Sequence, residues 1–500
     1  MKILTGSQIK EADQYTIKNE PIDSIALMER ASNAIAQWVC ENIDKTISLL
    51  FLVGKGNNGG DGLAVARILF HAGYDCLVCM LTDKEDELSE ECRYNLERLP
   101  KYVRFDSPSL RRFSIVRFSD LEPDAIIIDA LLGSGVKGDL REPLSEIIDQ
   151  VNGLPNKVIS VDLPSGMKTE FGNAGQSIIK AGVTLTLEFP KLAMLLPEAG
   201  EYCGDIKILP IGLSKDFIDK AITEYHYITN DLIKGIVRKR DKFAHKGIYG
   251  HALLICGSRG MSGAAVLCAG AALRSGCGLV TVHLPQLERF SLQAIYPSAM
   301  TSLDNDDCFS ELPENLDNYS AIGIGCGLGK APRTIKTFEL LLKSSTKPMV
   351  IDADALNILA DNYELRQFVP EGSILTPHPG ELKRLVGEWK DEQEKILLVR
   401  ELAANLKSVI IVKGAHTMVC LPGGNCYFNS TGNSGMAKGG SGDVLTGYVT
   451  GLLARGYNNW QAAILGVYIH GLAGDRASVR YGLEAMNSKD LIDELTLDIK

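Results

Sequence analysis

At 500 residues the chain is long enough for roughly two to four domains, each able to bury a proper core. Its formal net charge of −10 argues against a nucleic-acid partner, because neutralising phosphates needs a basic surface. No apolar run reaches the roughly 20 residues of a membrane-spanning helix, and AAVLCAGAALRSGCGLV is broken by Arg274.

The N-terminal MKILTGSQIKEADQYTIK has no apolar signal-peptide core. Most cysteines, among them Cys256, Cys268, Cys277 and Cys326, sit singly in apolar runs, where a thiol is a small hydrophobe. The CxxC pair Cys76 and Cys79 lies in a strand-like run that turns the two to opposite faces, with no histidine or second pair to complete a ligand set. The chain therefore reads as reduced and cytoplasmic.

In chain order, ISLLFLVG (47–54), YDCLVCMLT (74–82), DAIIIDAL (124–131), KVISVDLPSG (157–166) and AGVTLTLEF (181–189) predict buried strands separated by helical patterns. Continuous apolar strands joined by helices indicate a parallel sheet covered on both faces. The rhythm stops near Ile211, and a charged stretch with few strand signals (214–247) places a boundary around 214–228. A second βα series follows, with strands predicted at 251–258, 279–285, 320–327, 348–356, 373–381 and 408–414. The fold expected is two α/β domains in tandem.

In the first series FLVG runs into KGNNGGDGLAVARIL, whose glycines permit a tight turn ahead of a helix expected to begin near Asp61. A helix N-terminus with free amides suits an anion. The spacing is neither GxGxxG nor a P-loop, and a plain packing turn is the competing reading. A second glycine loop, Gly133–Asp139, follows a strand ending on Asp129, and VDLPSG ends another on Asp162 and Ser165. Ligands of doubly wound sheets sit at such strand ends. Asn57, Asn58, Asp129, Asp162 and Ser165 make an oxygen-rich set without His or Cys, which suits a hard cation rather than zinc.

In the second series the segment NSGMAKGGSGDVLTG (433–447) places Gly439, Gly440 and Gly442 before a helix expected to start just after Asp443, with Leu445, Val449 and Leu452 on its buried face. Converging amides would cradle an anion. A carboxylate there should stay ionised and could act as base toward a substrate hydroxyl, the arrangement phosphoryl transfer needs.

GNNGGDG, IDALLGSGVKGD and VDLPSG resemble the epimerase domain of the NAD(P)H-hydrate repair enzymes, across most of residues 1–214. AKGGSGDVLTG, with KGIYGHALLICGSRGMSGAA, GIGCGLG, DADALN, LTPHPGEL and VKGAHT, resembles the ribokinase-like ADP/ATP-dependent dehydratase domain of the same repair system, across 225–500. The resemblance implies a Rossmann-like three-layer α/β/α domain followed by a ribokinase-like α/β domain. It implies that the R and S hydrates NADHX and NADPHX are interconverted at the first, and that the S form is dehydrated at the second through a phosphorylated intermediate.

For the first domain the resemblance assigns the hydrate to Asn57, Asn58, Gly59, Gly60, Asp61, Asp162 and the loop Gly133, Ser134, Gly135, Val136, Lys137, Gly138 and Asp139. It assigns a potassium ion to Asn58, Asp129 and Ser165, and proton transfer to Asp162. In the second domain Ala264, Gly327, His378 and Asp443 would meet the hydrate. Lys413, Gly414, Ala415, His416 and Thr417, with Gly439, Gly440, Ser441 and Gly442, would hold ADP or ATP with magnesium, and Asp443 would be the base. His378 can also serve a rigid PHPG turn, while Asp352 and Asp354 of DADALN fit either metal or water positioning or helix capping. Cys326 stands where the family usually has proline. A homo-oligomer, tetramer or larger, is implied as well. A vitamin-type small-molecule kinase with a binding module in front is the rival reading. A plain dehydrogenase lacks its GxGxxG, and a non-catalytic dinucleotide binder would not need Asp443.

Overall fold

The apolar runs become the middles of two separate sheets in the computed structural model, which describes residues 1–81, 87–101, 103–106, 121–136 and 138–498. The chain divides into a unit Lys2–Thr223 and a unit comprising Met1 and Glu224–Lys500. Both are mixed α/β, as the alternating pattern predicts.

The first unit opens with two helices, α1 (Gly6–Asn19) and α2 (Ser24–Asn42). Strands β1 (Leu49–Val53), β2 (Cys76–Met80), β3 (Arg104–Asp106), β4 (Ile126–Ala130), β5 (Val158–Val161), β6 (Val183–Leu187) and β7 (Asp205–Leu209) then form one sheet. Its order is β3-β2-β1-β4-β5-β6-β7, and every pairing is parallel. β1 and β4 are buried along their whole length, which is why their sequences do not alternate. The chain builds outward from β1 in one direction and returns at β4 to build in the other. The crevice between the carboxyl ends of β1 and β4 is therefore the switch point where such sheets take ligands.

The second sheet has ten strands in the order β11-β10-β9-β12-β13-β14-β15-β16-β17-β8. They are β8 (Tyr225–Tyr227), β9 (His251–Ile255), β10 (Leu279–Pro285), β11 (Met300–Asp304), β12 (Ala321–Ile324), β13 (Met349–Ile351), β14 (Ile374–Leu375), β15 (Val409–Val412), β16 (Met418–Cys420) and β17 (Cys426–Phe428). β16 runs antiparallel to both neighbours. The switch point lies between β9 and β12, and the helices Ser262–Arg274 and Ser441–Ala454 pack together beside it. β8 falls inside the charged stretch where few strand signals were expected. Two of the predicted strands, 348–356 and 373–381, are shorter than read, because helices begin at Ala353 and Pro379.

Candidate active sites

A cavity of about 650 Å³ opens at the carboxyl ends of the first unit's strands. Helix α3 (Asn57–His71) starts at the end of the β1 loop with Gly56 as its cap residue. The start is four residues earlier than expected, so Asn57 and Asn58 stand in the first turn, where their backbone amides have no helical partner. Asn57, Asn58 and Asp61 line the cavity, together with Gly133, Ser134, Gly135 and Val136. Gly59 and Gly60 do not reach it. A Cβ on Gly59 would lie 1.9 Å from the Gly54 carbonyl oxygen, and one on Gly60 would lie 2.9 Å from the Met28 sulfur, so close packing explains both. Asp139 is turned instead to Gln176 and Lys168. Gly138 does not line the cavity, and Lys137 lies outside the described residues.

Asp162, just past β5, has the left-handed φ of 64°, uncommon outside glycine. Its Oδ1 accepts from the Leu187 amide at 3.1 Å and is ion-paired with the Lys191 ammonium. Lys191 is 1 % exposed and also donates to Thr186 Oγ1 at 2.8 Å. Three further carboxyl residues line the cavity, Asp13, Asp61 and Glu91. Burial, then the charges of Asp162 and Asp13, push Asp61 well above the usual carboxylate range. Burial likewise lifts Asp13 to about 6; the Asp162 charge adds to this and Lys191 opposes it. The first unit thus holds an ion-paired carboxylate beside Asp61, which favours its protonated form, and Asp13, which is lifted only to about 6.

Beneath this lies the oxygen-rich set. Asp129 is fully buried, with Oδ1 accepting from Ser165 Oγ at 2.5 Å and Oδ2 from the Ser165 amide at 2.9 Å and Ser160 Oγ at 2.8 Å. Burial raises its pKa against the pull of those bonds. Asn58 Nδ2 donates to the Leu132 carbonyl at 3.0 Å, and Ser165 Oγ accepts from the Leu132 amide at 2.8 Å. Asn58, Asp129 and Ser165 are thus brought together around one backbone segment. Every side-chain donor atom they offer to a cation is oxygen, which fits a hard ion.

In the second unit the helix Ser441–Ala454 starts three residues earlier than expected, so Asp443 lies in its first turn. Gly440, at φ 90°, is the cap residue and supplies no side chain, leaving the first amides to whatever occupies the cradle. Ser488 Oγ fixes the loop by donating to the Gly439 carbonyl at 2.7 Å. Lys413 Nζ sits 2.8 Å from Asp352 Oδ1 and 3.8 Å from Glu381. A Cβ on Gly442 would lie 3.4 Å from that ammonium, so the cation abuts the cradle. Burial pulls the Lys413 pKa down, but the Asp352 and Glu381 charges outweigh it and leave it raised. Asp352 is held on its other oxygen by Thr446 Oγ1 at 2.8 Å, and Asp354 accepts from the Gly329 amide at 2.8 Å. Asp352 occupies the cap position of the helix that follows without a side-chain cap bond.

One expectation is corrected here. Asp443 is not held ionised by the helix end. Burial lifts it to about 8, the Cys326 thiol and Asp352 add to the shift, and Lys413 only partly opposes it. Desolvation outweighs the favourable dipole.

Ala264 and Gly327 touch across the switch point, where a Cβ on Gly327 would lie 3.0 Å from that of Ala264. His378 caps the helix Pro379–Val386, its Nδ1 accepting from the Gly380 amide at 3.0 Å, and Glu381 returns a bond to the His378 amide. Lys413 to Thr417 form the β15–β16 turn, closed by Thr417 Oγ1 on the Gly414 carbonyl at 3.0 Å. His416 is tied inward to the Asn429 carbonyl at 3.0 Å, and Ala415 is exposed. Ser441 Oγ lies 3.4 Å from Nε2 of His470, whose pKa burial lowers to about 4. Sequence reasoning missed Asp13, Lys191, Glu381 and His470 as neighbours of the two sites. Only Lys191, just past a strand end, and Glu381, inside LTPHPGEL, carried a local signal.

The chain matches two family models: NAD(P)H-hydrate dehydratase over residues 252–497, and YjeF-related protein N-terminus over residues 24–193. A bifunctional NAD(P)H-hydrate repair enzyme of Moorella thermoacetica is 34% identical over 99% of this chain and 96% of its own length. One of Coxiella burnetii is 32% identical over 98% and 97%. Among solved structures, the ADP/ATP-dependent NAD(P)H-hydrate dehydratase of Bacillus subtilis, co-crystallised with ATP and magnesium, is 30% identical over 54% of this chain and 96% of its own, at a TM-score of 0.47. With both halves matched and full-length relatives at this identity, the chain belongs to the family of bifunctional NAD(P)H-hydrate repair enzymes.

Proposed function

We propose that the first unit interconverts the R and S hydrates of NADH and NADPH, and that the second dehydrates the S hydrate at the expense of ATP or ADP. The observation that carries the reading is the second unit's cradle, where Asp443, Gly442 and the Lys413–Asp352 pair meet at one helix N-terminus. Asp443 takes the proton of the hydrate's hydroxyl as that oxygen attacks the terminal phosphorus. The phosphorus–oxygen bond to the leaving nucleotide breaks. Phosphate then departs with the carbon–oxygen bonding pair, a neighbouring carbon loses a proton, and the dihydropyridine returns. Lys413 and the free amides hold the phosphates in line, where positioning and electrostatics do most of the work. Magnesium would enter on those phosphates beside Asp352 and Asp443, neutralising charge in transfer.

At the first site Asp162 exchanges the substrate proton, and Asp61, pushed well above the usual carboxylate range, is the acid placed to protonate a departing oxygen. Potassium would be held by Asn58, Asp129 and Ser165, countering negative charge on the dinucleotide. The ligands named for each site, including the Gly133–Val136 loop, Ala264, Gly327 and His378, belong to this reading. So do a cytoplasmic setting, which the absence of disulfides among the described residues supports, and a homo-oligomer. Domain limits of 1–214 and 225–500 complete it.

The test supplies each hydrate epimer separately and follows dihydropyridine absorbance on adding ATP or ADP. Asp443→Asn should abolish dehydration and spare epimerisation, and Asp162→Asn should do the reverse. A phosphorylated end product would convict the reading and favour a kinase.

A further inference from the structure

Three thiols meet beneath Asp443. Cys256 follows β9 and Cys326 follows β12, so both stand at the strand ends that flank the switch point, and Cys268 reaches them from the helix Ser262–Arg274. Their sulfurs all lie within 4.8 Å of one another, and all three residues are completely buried. They have polar neighbours on the site's side. Cys268 Sγ lies 3.2 Å from the Asp443 carbonyl, Cys326 Sγ lies 3.9 Å from Asp352 Oδ2, and the Asp443 side chain is hydrogen-bonded with Cys326.

We propose that Cys256, Cys268 and Cys326 form a three-thiolate site for a thiophilic d10 cation, zinc first, its fourth position left to a water or other small ligand. Zinc–sulfur bonds of about 2.3 Å at tetrahedral angles put sulfurs about 3.8 Å apart, so a contraction of about 1 Å at most closes the observed triangle. Charge selects among such ions. Three thiolates carry three negative charges; a divalent ion leaves one of them uncompensated and a monovalent copper ion leaves two. Hard cations that suit the first unit's oxygen set do not compete for sulfur. Binding releases the three thiol protons.

The consequence rests on the proposed function. An ion held there takes the Cys326 thiol away from Asp443 and sets a new charge beside the carboxylate that must accept the hydroxyl proton, so zinc would slow dehydration and leave epimerisation running in the other unit.

The experiment titrates the full chain, stripped with a chelator and kept reduced and oxygen-free, with cobalt(II) and then zinc(II). The expected result is a thiolate-to-cobalt charge-transfer band that saturates at one ion per chain, shows tetrahedral visible bands and is displaced by zinc. C326A and C256S should each lose the band while keeping the wild-type circular dichroism; C256S keeps the side chain's shape should C326A fold poorly. No band, or a band that survives both substitutions, overturns the site and moves the metal to other thiols such as Cys420 and Cys426. Zinc that binds at one equivalent without slowing dehydration overturns the coupling of the site to Asp443. Should the apo chain dehydrate nothing, the proposed function fails while the cobalt band still decides the metal site.

Discussion

Replacing Asp13 by Asn should stabilise the first unit near neutral pH. The folded protein lifts the Asp13 carboxyl from 3.8 to about 6, chiefly by burial. A shift of about 2 units at 1.36 kcal/mol each makes the charged form cost about 3 kcal/mol of folding stability. Between pH 4 and 6 the folded state binds more protons than the unfolded chain, so stability falls as pH rises through that window. The full cost is present above about pH 6 and absent below 3.8. Asp13 makes no hydrogen bond among the described residues that Asn would forfeit. Trp38 is the first unit's only tryptophan, so its fluorescence, in a chain with Trp389 and Trp460 changed to Phe, reports that unit alone. With a urea slope of about 3 kcal/mol per molar, Asp13→Asn should raise the midpoint by about 1 M at pH 7.5 and by little at pH 4. An equal shift at both pH values, or a lower midpoint at pH 7.5, would refute the assignment of a buried, unpaired charge.

In the second unit the same reasoning governs rate. With Asp443 lifted to about 8, the base form grows about tenfold from pH 7 to 9, and kcat/KM for the S hydrate should follow it. A flat profile over that range would exclude Asp443 as the base. Lys191→Met leaves the partly buried Asp162 carboxylate unpaired and should cost up to about 3 kcal/mol, read by the same Trp38 unfolding assay. Adding Asp162→Asn should return most of it, and no recovery in the double variant would show that the ion pair is not the cause. Gly447→Ala puts a Cβ 2.1 Å from the Cys268 carbonyl oxygen, so the two packed helices must part at a cost of about 1–3 kcal/mol. Differential scanning calorimetry should show the second unit melting lower, and an unchanged transition would mean the helix pair yields freely.

Much of the scaffold was legible because buried parallel strands need long apolar runs, and β1, β4, β9, β12 and β15 all show them. The three-residue strands β8, β16 and β17 show no period to read. Helix starts were misplaced for a related reason. Gly56 and Gly440 occupy the cap positions without a side-chain signal, so the eye moves on to the first acid, Asp61 or Asp443. The motifs pointed to loops that do meet at the strand ends, but not to which glycines face the cavity and which, like Gly59, only let backbones approach. The meeting of Asp13 with Lys191 depends on α1 folding over the end of β6, and no local pattern encodes that.

What neither motif conveys is how each unit distributes protonation. Inside the first cavity the buried lysine is committed to one acid, as Lys191 is to Asp162, and Asp13 and Asp61 face desolvation with little compensation. In the second site Lys413 is committed to Asp352, and Asp443 is the acid left raised. With the cation committed to one carboxylate, burial raises the neighbours that lack it, Asp61 in the first cavity and Asp443 in the second site. Acid and base forms can then coexist a few ångströms apart at one pH. For the first unit this supplies both partners of a proton exchange at rest. For the second it means the base is assembled only when Asp443 loses its proton. Because Lys413 opposes the shift, phosphates that draw its ammonium toward the cradle would also alter how readily Asp443 ionises, linking nucleotide occupancy to the charge of the base.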